Sequence, residues 1–437
     1  MASTAEVTNA RVFAIAGPAM LTNVTTPLLG IVATAAIGRL GDAVLLGAVA
    51  MASVAFDCLF WLFGFLRMGT VAFTAQALGA GDAREQRAVL ARALLVAGAI
   101  GLAIVALQAP GAALIFDAMG GSEEVTAAAR LYFFVRVWSA PFVLANYVLL
   151  GWLVGLARAR TALAVQVAVN VVNMIAMVAL VLGLDLGLAG AALASVIAET
   201  FGLVAGLTIA WRIVGGRLDL TWASVLDRAR LSRTLAVNRD IMIRTAALIA
   251  AYLFFTARGA RAGDVTLAAN AVLHNFTLVG AFFLDGMATA AEQVCGQAYG
   301  ARDRKAFARA VKLVTAWGFA FGIGATLLFA LAGAPMIDVM TASADVRLVA
   351  RQFLWLAALV PVCGAMAFCF DGIYVGATWA RDMRNLMMLA LATYFAVWWL
   401  TEPLGNAGLW IAFLVFFLAR GGLQAARYPA LVARPFA

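Results

Sequence analysis

Charge is what this sequence lacks most. Only 12% of its 437 residues are charged, 65% are hydrophobic, and the mean hydropathy is +0.97. A soluble domain carries about 25% charged residues. A water-facing globular fold is therefore excluded, and lipid must cover much of the surface. Lysine is almost missing too: Lys305 and Lys312 are the only two among 31 basic residues, an arginine bias that fits a GC-rich bacterial genome. The net charge of +9 does not mark a nucleic-acid binder, because the arginines are scattered through short loops rather than gathered on one domain. Histidine occurs once, at His274. Four cysteines, Cys58, Cys295, Cys363 and Cys369, have no metal-ligand spacing and no disulfide framework; they read as small buried hydrophobes. The patterns GxxxxGK[ST], GxSxG, HExxH and CxxC are all missing, which argues against ATP-driven transport by this chain alone and against a membrane-embedded enzyme. The N-terminal stretch carries Glu6 before its first basic residue and no small-residue cleavage site, so it is expected to stay as a first helix.

What is present is long apolar runs. A helix needs about 20 residues to cross a bilayer, and residues 161–184 and 313–337 contain no charge at all. The pattern predicts an all-α polytopic membrane protein with helices near 11–37, 44–78, 88–116, 125–156, 161–183, 187–211, 235–258, 265–299, 306–333, 346–377, 383–401 and 406–426. These runs are too long for the roughly 10-residue alternating strands of a membrane barrel. Loops after even-numbered helices hold the arginines, among them Arg84, Arg87, Arg158, Arg228 and Arg381; loops after odd-numbered helices are richer in acids, such as Asp42, Asp117 and Asp338. The positive-inside rule then places both termini in the cytoplasm. The polar connection at about 212–234 divides an N-lobe, 1–215, from a C-lobe, 216–437.

The two halves are copies. "QALGAGD" at 76–82 matches "QAYGARD" at 297–303, an offset of 221 residues, and "GWLVGLARAR" at 151–160 matches "GIYVGATWAR" at 372–381 at the same offset. "RLGD" at 39–42 matches "RAGD" at 261–264, and "LGLAG" at 186–190 echoes "LGNAG" at 404–408. Six helices per half is an even number, so both copies insert the same way round. That is a parallel repeat, which in transporters encloses a central cleft opened alternately to each side.

An ionisable group inside the membrane is a functional candidate by default, since each costs roughly 2.5–3.5 kcal/mol at a helix centre. The candidates are Asp57, Arg67, Arg136, Glu199, Arg244, His274, Asp285, Glu292 and Asp371. Arg67 and Arg136 sit nearer helix ends, where they can snorkel. Glu199 reads equally as a hydrogen-bonded anchor and as a functional acid. Asp285 and Glu292, seven apart, share one helix face about 10 Å apart along the axis. Asp285 and Asp371 each face a choice between an arginine partner, Arg244 for Asp285, and a coupling ion. Gln166, Asn170 and Asn173 form one polar stripe that either glues helices or lines an aqueous cleft. His274 reads as a packing residue or a proton relay. Pro18 and Pro27 fall inside the first helix, where each removes a backbone hydrogen bond and favours a kink. Trp61, Tyr147 and Phe276 serve equally as packing or as substrate contacts. GxxxG spacings such as Gly151/Gly155 and Gly372/Gly376 are explained by close helix packing.

Taken together, "IGRLGD", "FLRMGTVAFTAQALGAGD", "NRDIMIR", "GQAYGARD" and "DGIYVGATWARDMRN" resemble the multidrug and toxic compound extrusion (MATE) transporters, in particular the DinF-type branch, over nearly the whole chain. The resemblance implies a V-shaped pair of six-helix bundles that export organic, often cationic or amphipathic compounds against an inward proton or sodium gradient. It also implies Asn170 and Asn173 as cavity residues and Glu292 and Asp371 as C-lobe cation-coupling acids. The chain departs from the branch in the N-lobe, where the expected acids of helices 1 and 5 are replaced by Ala33 and Met177. A buried carboxylate can exchange a proton near neutral pH, and Asp57 becomes the N-lobe acid to consider, on a helix face with Ser53, Trp61, Gly64 and Met68. The expected protein is a monomeric multi-pass exporter of the bacterial inner membrane that handles small organic molecules without nucleic acid, metal or cofactor. Its coupling ion is a proton, with sodium as the alternative. A flippase for lipid-linked substrates and a passive channel are the other transport readings.

Overall fold

A computed structural model describes residues 6–217 and 220–433, apart from the side chain of Thr26. Residues 1–5 of the N-terminal stretch and 218–219 of the central connection lie outside the described residues. No strand occurs among those described, and twelve helices or helix pairs are long and apolar enough to cross a membrane. Each stands on one of the twelve spans expected from the sequence.

The first half comprises α1 (Asn9–Gly38), then three broken spans: α2 (Ala43–Leu62) with α3 (Phe65–Gly79), α4 (Ala83–Ala106) with α5 (Gln108–Met119), and α6 (Glu123–Arg136) with α7 (Ala140–Gly155). α8 (Ala159–Val178) and α9 (Gly187–Ile213) complete it. A single turn, α10 (Trp222–Val225), lies in the connection before α11 (Arg228–Arg261). The rest runs unbroken as α12 (Asp264–Gly300), α13 (Arg304–Met340), α14 (Ala344–Gly376), α15 (Ala380–Thr401) and α16 (Asn406–Val432). The breaks have local causes. Gly64 follows Leu62, where the backbone closes in tight turns onto Phe60 and Trp61; Pro110 and Pro141 sit in the first turns of α5 and α7, where a missing N–H costs little. α1 continues as helix through Pro18 and Pro27.

The duplication repeats in backbone geometry. Gly81 and Arg302, 221 residues apart, both take the left-handed conformation (φ 71° and 55°), and so do Ala157 and Thr378 (60° and 56°). The next residue in the first motif pair, Asp82 or Asp303, caps the following helix by accepting from a backbone N–H at 2.9 Å. The glycine pairs cross their partner helices in the same way. A Cβ on Gly151 would lie 2.5 Å from the Arg67 carbonyl oxygen, and one on Gly372 would lie 2.2 Å from that of Ala288. Gly155 and Gly376 stand likewise against the carbonyls of Val71 and Glu292. These spacings bring backbones together.

Two compact units emerge. One contains Leu21–Thr74 and Asp82–Leu235; its aromatic core gathers Phe56, Phe60, Phe116, Tyr132 and Phe133. The other contains Met1–Met20, Ala75–Gly81 and Ala236–Ala437, around a core that includes Phe255, Phe276, Tyr394, Trp410, Phe413 and Phe417. The first turns of α1 therefore pack with the second half of the chain. Gly286 leaves room for Met20, Arg11 donates to Gln297, and Phe13 meets Trp317 edge-on at 4.8 Å. Phe276 is fully buried against Phe329, which gives it a packing role. All four cysteines are free thiols.

Candidate functional site

The second unit holds a buried ionic cluster. Asp371, on α14 and 3% exposed, accepts three side-chain hydrogen bonds. Oδ2 receives Arg244 Nη2 from α11 and Arg420 Nη2 from α16, the latter at 2.6 Å; Oδ1 receives Gln424 Nε2 at 2.8 Å. Both guanidiniums are buried, and that of Arg420 also lies 5.4–5.9 Å from the ring centroids of Phe368, Phe416 and Phe417. Such cation–π contacts help hold a charge away from water. Arg244 further feels the charges of Asp285 and Glu292. On α12, Glu292 is 1% exposed and lies where α12 crosses Gly376, whereas Asp285, two turns earlier, is exposed. Tyr252 stands in the field of Arg420, Asp285 and Arg244, and its ring meets His274 edge-on at 5.3 Å. Five ionisable groups from four helices thus converge: three carboxylates and two arginines. The sequence offers Arg244 as a partner for Asp285; the hydrogen bond it makes is to Asp371.

The first unit has a smaller polar group. Asn146 on α7 donates to Glu199 Oε2 at 2.7 Å and to the Glu199 carbonyl at 2.9 Å, which anchors α9 to α7. Arg136 stacks on Phe56 at 4.6 Å, donates to the Tyr132 hydroxyl at 3.3 Å, and is the cation acting on both Asp57 and Glu199. Tyr147 lies in the combined field of Glu199, Arg67, Asp57 and Arg136. Asp57 itself is exposed, as is Trp61 at 45%. The face expected to run from Ser53 to Met68 stops at Leu62, because Gly64 lies in the helix break and Met68 belongs to α3. Only Ser53, Asp57 and Trp61 share it. Asn170 is 2% exposed; it donates to Thr25 Oγ1 at 3.2 Å and accepts from Gln166 Nε2 at 3.0 Å. Asn170 therefore ties α8 to α1, with Gln166 one turn away bonded to it on the same helix, while Asn173 is half-buried.

Arg420, Gln424 and Asn146 were not singled out from the sequence. Arg420 and Gln424 stand four apart in "FFLARGGLQAARY", and an arginine after so apolar a run was the available signal. Asn146 offered none beyond polarity.

Comparison with known proteins gives a consistent result. The MatE family model matches twice, over residues 18–179 and 241–404, one match in each half. The chain is 40% identical over 420 residues to the DNA damage-inducible protein F of Escherichia coli, covering 93% of this chain and 89% of that one. It is 29% identical over 435 residues to a probable multidrug resistance protein NorM of Caulobacter vibrioides, covering 94% and 89%. Among solved structures, a MOP superfamily transporter from Pyrococcus furiosus superposes with TM-score 0.87 at 18% identity, covering 98% of this chain and 96% of that one. A MATE structure in the bent conformation gives 0.88 at 18% identity, covering 97% and 95%. At these identities the structural likeness speaks for the fold.

Proposed function

This chain belongs to the MatE family of transporters, and on that premise we propose that it exports organic, cationic or amphipathic compounds in exchange for protons, by alternating access of its two duplicated halves. The relatives supply the substrate class: one is named a probable multidrug resistance protein. The observation that carries proton coupling is the cluster around Asp371. With every group ionised it holds three negative and two positive charges; the buried four, Asp371, Glu292, Arg244 and Arg420, cancel in number, and the excess falls with the exposed Asp285, within reach of a proton from water. One proton balances it. Asp371 is occupied by two guanidiniums and an amide and serves as the fixed counter-ion. Glu292, buried, and Asp285, exposed, are the acids we assign to proton uptake and release. In the first half, Asp57 and Glu199 are matched in number by Arg67 and Arg136, so Asp57 has no charge deficit to fill. Trp61, Asn173 and Asp57 are assigned to substrate contact. The positive-inside distribution supports a bacterial inner membrane with both termini cytoplasmic, and a monomer suffices for the duplicated architecture.

The test is reconstitution of the full chain in proteoliposomes loaded with a fluorescent organic cation, with a proton or a sodium gradient imposed separately. Uphill transport is expected with the proton gradient. It should be lost in Glu292→Gln, whereas Asp57→Asn should still accumulate the cation uphill, with a raised KM as the mark of a lost substrate contact. Transport driven by sodium alone, or a Glu292→Gln protein that still accumulates the cation against its gradient, overturns the assignment.

A further inference from the structure

We propose that Arg136 is a specificity-determining residue: an internal cation that competes with an incoming organic cation for Asp57. The inference rests on the reading of Asp57 and Trp61 as substrate contacts. α2, α6 and α9 belong to the second, fourth and sixth spans, so they cross the membrane in the same direction. Asp57, Arg136 and Glu199 each stand roughly three to four turns into their helices, counted from Ala43, Glu123 and Gly187. α6 packs against both α2 and α9. One guanidinium is thus set at the depth of two carboxylates, on the helix between them, and its charge acts on both.

Arg136 nevertheless donates to neither acid among the described residues. Its Nη1 donates to the Tyr132 hydroxyl at 3.3 Å, one turn back on α6, and its charge lies over the rings of Phe56 at 4.6 Å and Tyr132 at 5.7 Å. Both rings are buried, so the guanidinium is held on a fixed aromatic seat. Glu199 takes its hydrogen bond from Asn146 instead. Asp57 accepts none from any described residue; it is exposed, with Trp61 one turn further on the same face. A bare carboxylate against hydrocarbon is expensive, so this face meets water. An organic cation arriving there gains a carboxylate and an indole face. It also meets the positive charge of Arg136, which the aromatic seat keeps close to Asp57 but off it. A neutral compound of the same shape does not feel that charge. Arg136 therefore weakens cations relative to uncharged amphiphiles, and Tyr132 limits how strongly by holding the guanidinium back.

The test is equilibrium dialysis of the purified full chain in detergent against tetraphenylphosphonium, a cation, and triphenylphosphine oxide, an uncharged compound with the same aryl groups. No gradient is applied, so the result is separate from proton coupling. Arg136→Gln, which can still reach the Tyr132 hydroxyl, should bind the phosphonium on the order of tenfold tighter, the effect of one unit charge removed beside a partly exposed carboxylate. Tyr132→Phe, which only frees the guanidinium to approach Asp57, should bind it about threefold more weakly, and the phosphine oxide should change by less than about twofold in either variant. Arg136→Gln binding the phosphonium no tighter than the wild type, Tyr132→Phe binding it as tightly as the wild type, or the two ligands shifting together overturns the proposal. Asp57→Asn is the control on the reading beneath it: an unchanged phosphonium affinity in that variant removes Asp57 as a substrate contact, whereas a weakened one with no gain in Arg136→Gln refutes the competition alone.

Discussion

Replacing Asp371 by Asn separates a fixed counter-ion from a titrating acid. The exchange is nearly isosteric, so no cavity opens and the effect is electrostatic. Oδ2 takes Arg420 Nη2 at 2.6 Å and Arg244 Nη2, and Oδ1 takes Gln424 Nε2 at 2.8 Å. An amide keeps one acceptor oxygen, loses the charge, and presents either N–H groups to the guanidiniums or N–H groups to the Gln424 amide. Arg420 and Arg244, 2% and 8% exposed, then lose the carboxylate that directly accepts from them both. Breaking a buried ion pair from one side costs about 3–5 kcal/mol, roughly two to three and a half powers of ten in the folding equilibrium. The assay is the fraction of monodisperse protein left after heating in detergent, read by fluorescence-detected size exclusion. Asp371→Asn should melt well below the wild type, while Asp57→Asn, at an exposed position, should stay within about 0.5 kcal/mol. Adding Arg420→Met to Asp371→Asn should restore part of the loss, because it removes one of the stranded charges. If Asp371→Asn melts with the wild type and changes only the pH dependence of transport, Asp371 is itself the titrating group and the counter-ion role is refuted.

Gly372→Ala puts a Cβ 2.2 Å from the Ala288 carbonyl oxygen, and α14 must back away from α12; a loss of about 1–3 kcal/mol is expected in the same heating assay. Gly324→Ala, with nothing within 4 Å of its Cβ, should be neutral or stabilising by up to about 1 kcal/mol; a loss as large as that of Gly372→Ala would refute the crossing argument. Asn146→Leu strips Glu199 of the amide bonds to its carboxylate and carbonyl at 2.7 and 2.9 Å, and should cost about 1–3 kcal/mol. Chemical unfolding of the purified variant with no change would show that α9 is held without Asn146.

The twelve spans, their order and the duplication are legible in the chain alone. Crossing a bilayer is a requirement on length and apolarity that each segment meets alone, so Ala159–Gly183 or Arg304–Met340 is legible from its own residues. The repeat was legible because Gly151 and Gly372, or Gly155 and Gly376, must be glycine wherever a partner carbonyl comes within 3 Å of the added carbon. The helix breaks were less so. Long apolar runs hide them, and Gly64, Pro110 and Pro141 look no different from Pro335 and Pro361, which α13 and α14 absorb without breaking. Which charges meet depends on how the helices pack. Arg244, Asp371 and Arg420 lie on α11, α14 and α16 and are up to 176 residues apart in the chain. Their meeting depends on the rotation and depth of three helices that the glycine crossings and the aromatic core fix together. Hydrophobic length is local, whereas ion pairing is a property of the packed bundle.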